Sequence, residues 1–122
     1  MTDPNVENLS KFLARGPVSV ALEVTSDFQS YSGGIFPFDD SCGESLNHAV
    51  LLVGQDKNYY IVKNSWGMSW GEQGYIRLEI GSGSGNCGIA NDYDVLPGVA
   101  IWINLLIFNI YIKFSLKFHN NL

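Results

Sequence analysis

A chain of 122 residues, 46% of them hydrophobic, is long enough for one modest core and is expected to form a single domain or a piece of one. Its formal net charge of −5 and its lack of a lysine or arginine cluster argue against a nucleic-acid partner, because an acidic surface repels phosphate backbones. Neither type of glycine-rich phosphate loop is present, and no cofactor is predicted.

A predicted amphipathic helix opens the chain. Asp3 and Pro4 suit an N-cap and a first helical position, and an apolar repeat at helical spacing follows until Gly16-Pro17. Residues 18–24 then alternate between apolar and small or polar side chains, which predicts a half-buried strand. Residues 27–37 contain a Gly-Gly pair and several aromatic residues, and they are predicted to form a loop anchored by its rings.

Two apolar runs, residues 48–54 and 59–67, flank a polar tetrad and predict a β-hairpin. A fold-back near Asp56 gives the following pairs: Val53 with Tyr59, Leu52 with Tyr60, Val50 with Val62, and His48 with Asn64. Directly opposed residues have Cβ atoms about 4.5–5.5 Å apart, so we expect the Asn64 amide oxygen to accept a hydrogen bond from one ring nitrogen of His48. The other nitrogen would then be left for chemistry.

A structural explanation of this pair stands beside the chemical one. A histidine beside an apolar strand is often a satisfied core residue, and an asparagine at a strand end is often a turn former. Trp-Gly pairs begin at positions 66 and 70, just past Asn64, and they favour chemistry because bulky rings desolvate a polar contact and strengthen it. Trp66 is the predicted cover.

The remaining patterns complete a mainly β prediction. Residues 74–80 alternate again and predict a further strand with one wet face. A helix followed by short strands with glycine-rich turns favours an open antiparallel barrel or sandwich, assigned here to residues 1–98.

The segment 99–122 differs sharply from the rest of the chain. Its apolar run at 99–112 is interrupted by Asn104 and Asn109 and falls short of the about 20 residues needed to span a bilayer. Extension past Lys113 keeps a membrane helix as a weaker alternative, and membrane contact is not expected. The composition is also that of A/T-rich codons, so translated non-coding sequence is another explanation.

The chain has two cysteines, Cys42 and Cys87. They lack Cys-x-x-Cys spacing and sufficient neighbouring ligands for zinc, so no metal site is predicted. A disulfide between them would stabilise by about 4 kcal/mol in the chain-entropy model and would imply an oxidising compartment. Residues 1–5 have no signal-peptide character, however, so we expect either a truncated start or reduced thiols.

Three blocks resemble the C-terminal half of papain-like cysteine peptidases. They are Leu-Asn-His-Ala-Val at 46–50, Lys-Asn-Ser-Trp-Gly-Met-Ser-Trp-Gly-Glu-Gln-Gly-Tyr at 63–75, and Asn-Cys-Gly-Ile-Ala at 86–90. The resemblance extends over about residues 7–99, and Gly-Pro-Val-Ser-Val-Ala at 16–21 is similar to the family's first barrel strand. It implies the open antiparallel β-barrel half of that fold with one short N-terminal helix, which is α+β as part of the full family fold.

By this resemblance His48 is the general base and acid of a Cys-His-Asn arrangement, Asn64 orients its imidazole, and Trp66 shields their bond. An imidazolium beside a thiol lowers the thiol pKa, and the thiolate attacks a peptide carbonyl. The implied partners are therefore a peptide or protein substrate and a segment that carries the nucleophile.

The resemblance also implies the substrate pocket and the disulfide. Ala21 and Ala49 would line the pocket for the substrate residue second before the scissile bond, and Cys42 and Cys87 would be disulfide partners. Asp92 would sit at the pocket base and favour basic side chains, with a solvated loop carboxylate as the alternative because the chain after position 90 departs from the family's Tyr-Pro spacing. A lysosomal or extracellular location follows by family.

The family's nucleophile lies in an N-terminal, mainly helical half, in a Cys-Gly-Ser-Cys-Trp type block preceded by a Gln, and this sequence contains no such block. Cys42 lies in a predicted loop without a helix N-terminus to activate it, so it is a poor substitute. We therefore expect the chain alone not to hydrolyse peptides. The alternative is a non-catalytic module that binds an extended peptide or a partner domain through an aromatic groove near Trp66 and Trp70.

Overall fold

A six-stranded sheet forms the body of the computed structural model, which describes residues 5–39, 41–91 and 93–95. The elements in chain order are α1 Val6–Leu13, β1 Val18–Leu22, α2 Ser26–Gln29, β2 Ile35–Phe36, β3 His48–Gln55, β4 Tyr59–Lys63, β5 Tyr75–Glu79, a 3₁₀ turn Asn86–Gly88, and β6 Tyr93–Val95. The strand order is β2-β5-β4-β3-β1-β6.

The predicted mainly β class with an open sheet is confirmed. Adjacent strands are antiparallel except for the pair β2 and β5, which is parallel and only two residues long. The short helix α2, Ser26–Gln29, overlaps the start of the predicted loop 27–37. It is a single turn capped by Thr25, whose side chain accepts a hydrogen bond from the Phe28 backbone N–H, and one turn is too short to leave an apolar repeat in the sequence.

Helix α1 covers one side of the sheet. Its N-cap is Asn5, whose side chain accepts from the Asn8 backbone N–H at 2.8 Å, so the predicted cap at Asp3 is wrong; Asp3 itself lies outside the described residues. Leu9 is fully buried beneath the helix. The buried hydroxyl of Tyr60 donates to the Val6 carbonyl at 3.2 Å, which ties the first turn of the helix to β4.

Strand β1 presents its predicted face to the core. Val18, Val20 and Leu22 are all fully buried, as the alternation predicts, and Ser19 on the other face is buried too. The strand ends at Leu22 and not at position 24. The Val24 backbone N–H instead donates to the Asn47 side-chain oxygen at 2.7 Å, so a side chain replaces the ladder partner there.

The hairpin between β3 and β4 forms, but its predicted register is wrong by two residues. Leu52 pairs with Val62, whereas the prediction paired it with Tyr60. The turn is centred later, since the Asp56 backbone N–H donates to the Tyr59 carbonyl at 2.8 Å, and a bulge falls between Leu52 and Gly54. On the His48 side of the bulge the shift is an even number of residues, so the side chains there keep their predicted faces, whereas on the turn side, where Gln55 pairs with Tyr60, the shift is three residues.

The predicted segment 99–122 and the domain boundary at residue 98 lie outside the described residues, so both stay predictions. Within the described ranges, no helix has the length and apolar character needed to cross a membrane.

Candidate active site

His48 and Asn64 meet at the end of the hairpin away from its turn. His48 is the first residue of β3, and Asn64 directly follows the last residue of β4. The His48 Nε2 lies 2.8 Å from the Asn64 Oδ1. Continuing the observed register past Lys63 puts Asn64 opposite Val50, so His48 and Asn64 are diagonal neighbours on one face, within reach of side chains of this length.

Two backbone contacts fix Asn64. Its N–H donates to the Gly74 carbonyl at 3.0 Å, and its Oδ1 accepts a second hydrogen bond, from the Ser65 backbone N–H at 2.8 Å. A backbone N–H can only donate, so the Ser65 contact identifies the atom facing both groups as the amide oxygen. The His48 Nε2 must then be the donor and carry a proton. In a neutral imidazole the second nitrogen, Nδ1, is therefore the basic one.

The burial of the Asn64 side chain costs folding free energy. Only 3% of it is exposed, and its Nδ2 has no hydrogen-bond partner among the described residues. An unsatisfied buried donor costs about 1–3 kcal/mol. A strand-end asparagine kept only for stability would not be expected to carry this cost, which favours the chemical explanation of the pair.

An aromatic cluster covers the pair. The indole of Trp66 stacks on the His48 ring with centroids 5.1 Å apart and planes inclined by 28°. Trp70 contacts Trp66 edge-on at 5.1 Å, and Phe28 from α2 stacks on Trp70 at 5.5 Å. Trp66 remains 38% exposed, so it covers the pair while its outer side faces solvent.

Of the three predicted substrate-binding residues, Ala21 and Ala49 lie next to each other, and Asp92 is not described by the structure. Ala21 and Ala49 are direct cross-strand partners on β1 and β3, next to the pair formed by Leu22 and His48. Whether they line a substrate pocket stays a prediction. Asp92 lies outside the described residues, and its predicted role at a pocket base stays a prediction as well.

A disulfide joins Cys42 and Cys87, as the resemblance implies, so the expectation of reduced thiols is wrong. As these are the chain's two cysteines, neither offers a thiolate while the bond is intact. In the part of the chain that the structure describes, no group of three or more His, Cys, Asp and Glu side chains could hold a metal ion.

Sequence reasoning missed a polar cluster beside the aromatic rings. The Arg77 Nε donates to Glu72 Oε1 at 2.7 Å, and a second Arg77 nitrogen donates to Glu72 Oε2 at 2.8 Å. The Tyr31 hydroxyl lies 2.8 Å from Glu72 Oε1 and also reaches the Gly34 carbonyl. Glu72 and Arg77 are five positions apart across a turn, and Tyr31 is 41 positions from Glu72, so no local pattern joins all three.

These contacts shift the pKa values of the cluster in opposite directions. The Arg77 guanidinium, and secondly the Tyr31 hydroxyl, lower the pKa of Glu72 to about 2. Burial, and secondly the hydrogen bond to Glu72, raise the pKa of Tyr31 to about 12. Glu72 therefore stays ionised and Tyr31 stays protonated throughout the neutral range.

The family model described as papain family cysteine protease matches residues 1–96. Papain from Carica papaya is 51% identical over 80 residues, covering 63% of this chain and 23% of papain. Zingipain-2 from Zingiber officinale is 49% identical over 103 residues, covering 77% of this chain and 46% of zingipain-2.

The fold comparison agrees. The crystal structure of a Carica candamarcensis cysteine protease in complex with E-64 superposes with a TM-score of 0.69 at 44% identity, covering 75% of this chain and 44% of that one. The chain spans between 19% and 46% of the length of the first curated relatives it matches.

Proposed function

This chain belongs to the papain family of cysteine proteases, and on that premise we propose that it supplies the histidine and asparagine of a peptidase active site while another segment supplies the nucleophilic thiol. The observation that carries the proposal is the 2.8 Å contact between His48 Nε2 and Asn64 Oδ1 beneath the Trp66 indole. The substrate class is a peptide or protein.

His48 moves the proton in this mechanism. With Nε2 held by Asn64, Nδ1 takes the proton of the incoming thiol, and the thiolate attacks the carbonyl carbon of the scissile peptide bond. The imidazolium then returns this proton to the leaving nitrogen as the C–N bond breaks, which leaves an acyl thioester. Water, deprotonated by the same nitrogen, hydrolyses the thioester and regenerates the thiol.

Asn64 and Trp66 act through the imidazole. The Asn64 oxygen fixes the tautomer and the plane of the ring and stabilises the charge of the imidazolium, as the third group of a catalytic triad does. The Trp66 indole reduces water access to their hydrogen bond, and such a bond is stronger in a drier environment. Both are positioning residues for the reaction.

We further propose that the 122 residues alone do not turn over substrate. Both cysteines are consumed by the disulfide, and neither lies at the N-terminus of a described α-helix that would activate a thiolate. The disulfide supports an oxidising compartment, in keeping with the lysosomal or extracellular location implied by the family. Ala21, Ala49 and Asp92 are proposed to select the substrate.

A complementation assay tests this function. The purified 122-residue chain would be mixed with a helical half that bears a Cys-Gly-Ser-Cys-Trp block, and cleavage of a dipeptidyl fluorogenic substrate would be followed. We expect turnover only in the mixture and none with His48→Ala. The matched control is His119→Ala, which removes the chain's other histidine and should leave turnover unchanged.

Each remaining outcome has a definite meaning. Turnover by the chain alone would refute the proposed inactivity, and turnover that survives His48→Ala would refute the assigned base. Binding of the helical half or of a peptide without any turnover would favour the non-catalytic binding module.

A further inference from the structure

We propose that Tyr31, Glu72 and Arg77 are positioning residues that hold the Trp66 indole and the Asn64 backbone in place around His48. The inference rests on the proposed function, because it assigns these three residues to the same site. They act on His48 through neighbouring aromatic rings and through the backbone of the loop between β4 and β5.

The first route runs through aromatic rings. The Tyr31 ring contacts Trp70 with centroids 5.6 Å apart, and Trp70 contacts Trp66 edge-on at 5.1 Å. Trp66 in turn stacks on His48. Rotation of Tyr31 would therefore change the surface against which Trp70 rests, and the two indoles would move over the imidazole.

The second route runs through the backbone of the loop between β4 and β5. Glu72 exchanges backbone hydrogen bonds with Tyr75 at 2.9 and 3.1 Å, which closes the turn. Within it the Gly74 N–H donates to the Trp70 carbonyl at 2.8 Å, and the Gly74 carbonyl accepts from the Asn64 N–H at 3.0 Å. The side-chain contacts of Glu72 therefore stabilise the turn whose Gly74 carbonyl fixes the Asn64 backbone.

The loop has little room to shift. Gly71 has a φ of +57°, and a Cβ built there would lie 2.6 Å from the Tyr75 carbonyl oxygen and 3.1 Å from the Tyr31 ring. Glycine is required by both the left-handed backbone and this close approach. The Tyr31 ring is thereby pressed against the loop, while its hydroxyl anchors it to Glu72.

The test is spectroscopic and uses the full 122-residue chain. The ring protons of His48 lie beneath an indole, so their NMR resonances carry a ring-current shift that reports the stacking directly. We expect Tyr31→Phe and Glu72→Gln to move these resonances towards the positions of an unstacked imidazole, with the His119 resonances as an internal reference. Glu72→Asp keeps the charge and should restore part of the wild-type shift.

Two matched controls separate positioning from simple loss of stability. Tyr60→Phe removes a buried hydroxyl on the α1 side of the sheet, and Glu7→Gln breaks the exposed ion pair with Lys11. Both should leave the His48 resonances in place, even where Tyr60→Phe lowers the melting temperature.

Unchanged His48 resonances in folded Tyr31→Phe and Glu72→Gln, or an equal shift in Tyr60→Phe, would overturn the inference. If Tyr31→Phe fails to fold, Glu72→Gln and Glu72→Asp still decide the question. Because the resonances are read without substrate or nucleophile, they decide it independently of the complementation assay.

Discussion

Removal of the disulfide is predicted to cost a large part of the folding free energy. The bond links residues 45 positions apart in the sequence. In the chain-entropy model a loop of this length corresponds to about 4 kcal/mol at 25 °C. Domains are stable by only about 5–15 kcal/mol in total, so Cys42→Ala/Cys87→Ala should be marginally folded or unfolded.

Urea unfolding followed by circular dichroism and tryptophan fluorescence measures the effect. With an m-value of about 1–3 kcal/mol/M, a loss of about 4 kcal/mol lowers the midpoint by about 1–4 M. Wild-type chain treated with a phosphine reductant is the matched control, because it loses the bond but keeps both sulfurs. The two samples should lose similar free energies.

A loss below about 1 kcal/mol in both samples would refute this reasoning, since it would mean that the cross-link hardly restricts the unfolded chain. A large loss in the double variant with almost none in the reduced wild type would assign the effect to side-chain packing. Cys87 is only 2% exposed, so packing is the alternative that the control must exclude.

The other predictions concern single side chains. The pKa of Glu72 is lowered from 4.5 to about 2 in the fold, so its ion pair stabilises above about pH 4.5 and this stability is lost as the pH falls towards 2. About a third of the Glu72 side chain is exposed, which limits this stabilisation to about 1 kcal/mol. When the melting temperature is measured against pH, Glu72→Gln should show a smaller fall between about pH 4.5 and pH 2 than the wild type does. An equal fall in both proteins would contradict the prediction. Leu52→Ala should cost about 2–5 kcal/mol in urea unfolding because Leu52 is fully buried, whereas an equal cost for the exposed Met68→Ala would contradict the assigned core. In the complementation assay Asn64→Ala should lower kcat and leave KM nearly unchanged, because it releases the imidazole without altering a substrate contact. A change confined to KM would indicate a substrate-binding role.

Alternation and strong motifs made much of this fold predictable. The core face of β1 and the presence of the hairpin follow from a period of two in apolar residues, which is a local property of the sequence. The helix was also predictable, although its cap was placed at Asp3 when Asn5 caps it. Both residue types suit a cap, and the choice between them depends on where the first turn packs.

Features that depend on distant residues could not be predicted in this way. The parallel pairing of Ile35 and Phe36 with β5 involves only two residues, too few to leave a pattern. The contact between Tyr31 and Glu72 joins positions 41 apart and depends on how the loops fold. Such contacts need the tertiary structure, because charge and ring type alone do not specify a partner.

The contact between His48 and Asn64 forms although the two strands are aligned differently from the prediction. A slip of one residue would have moved one of the two side chains to the opposite face, and the contact would have been lost. The observed slip of two keeps both on one face and turns a direct pair into a diagonal one, whose Cβ atoms are typically about 7–8 Å apart. An imidazole and a carboxamide can span that distance between them, whereas two short side chains such as those of Ala21 and Ala49 cannot and must be direct partners to touch. The length of the two side chains, together with the Gly74 and Ser65 contacts that fix Asn64, therefore determines the geometry of the site more than the strand pairing does.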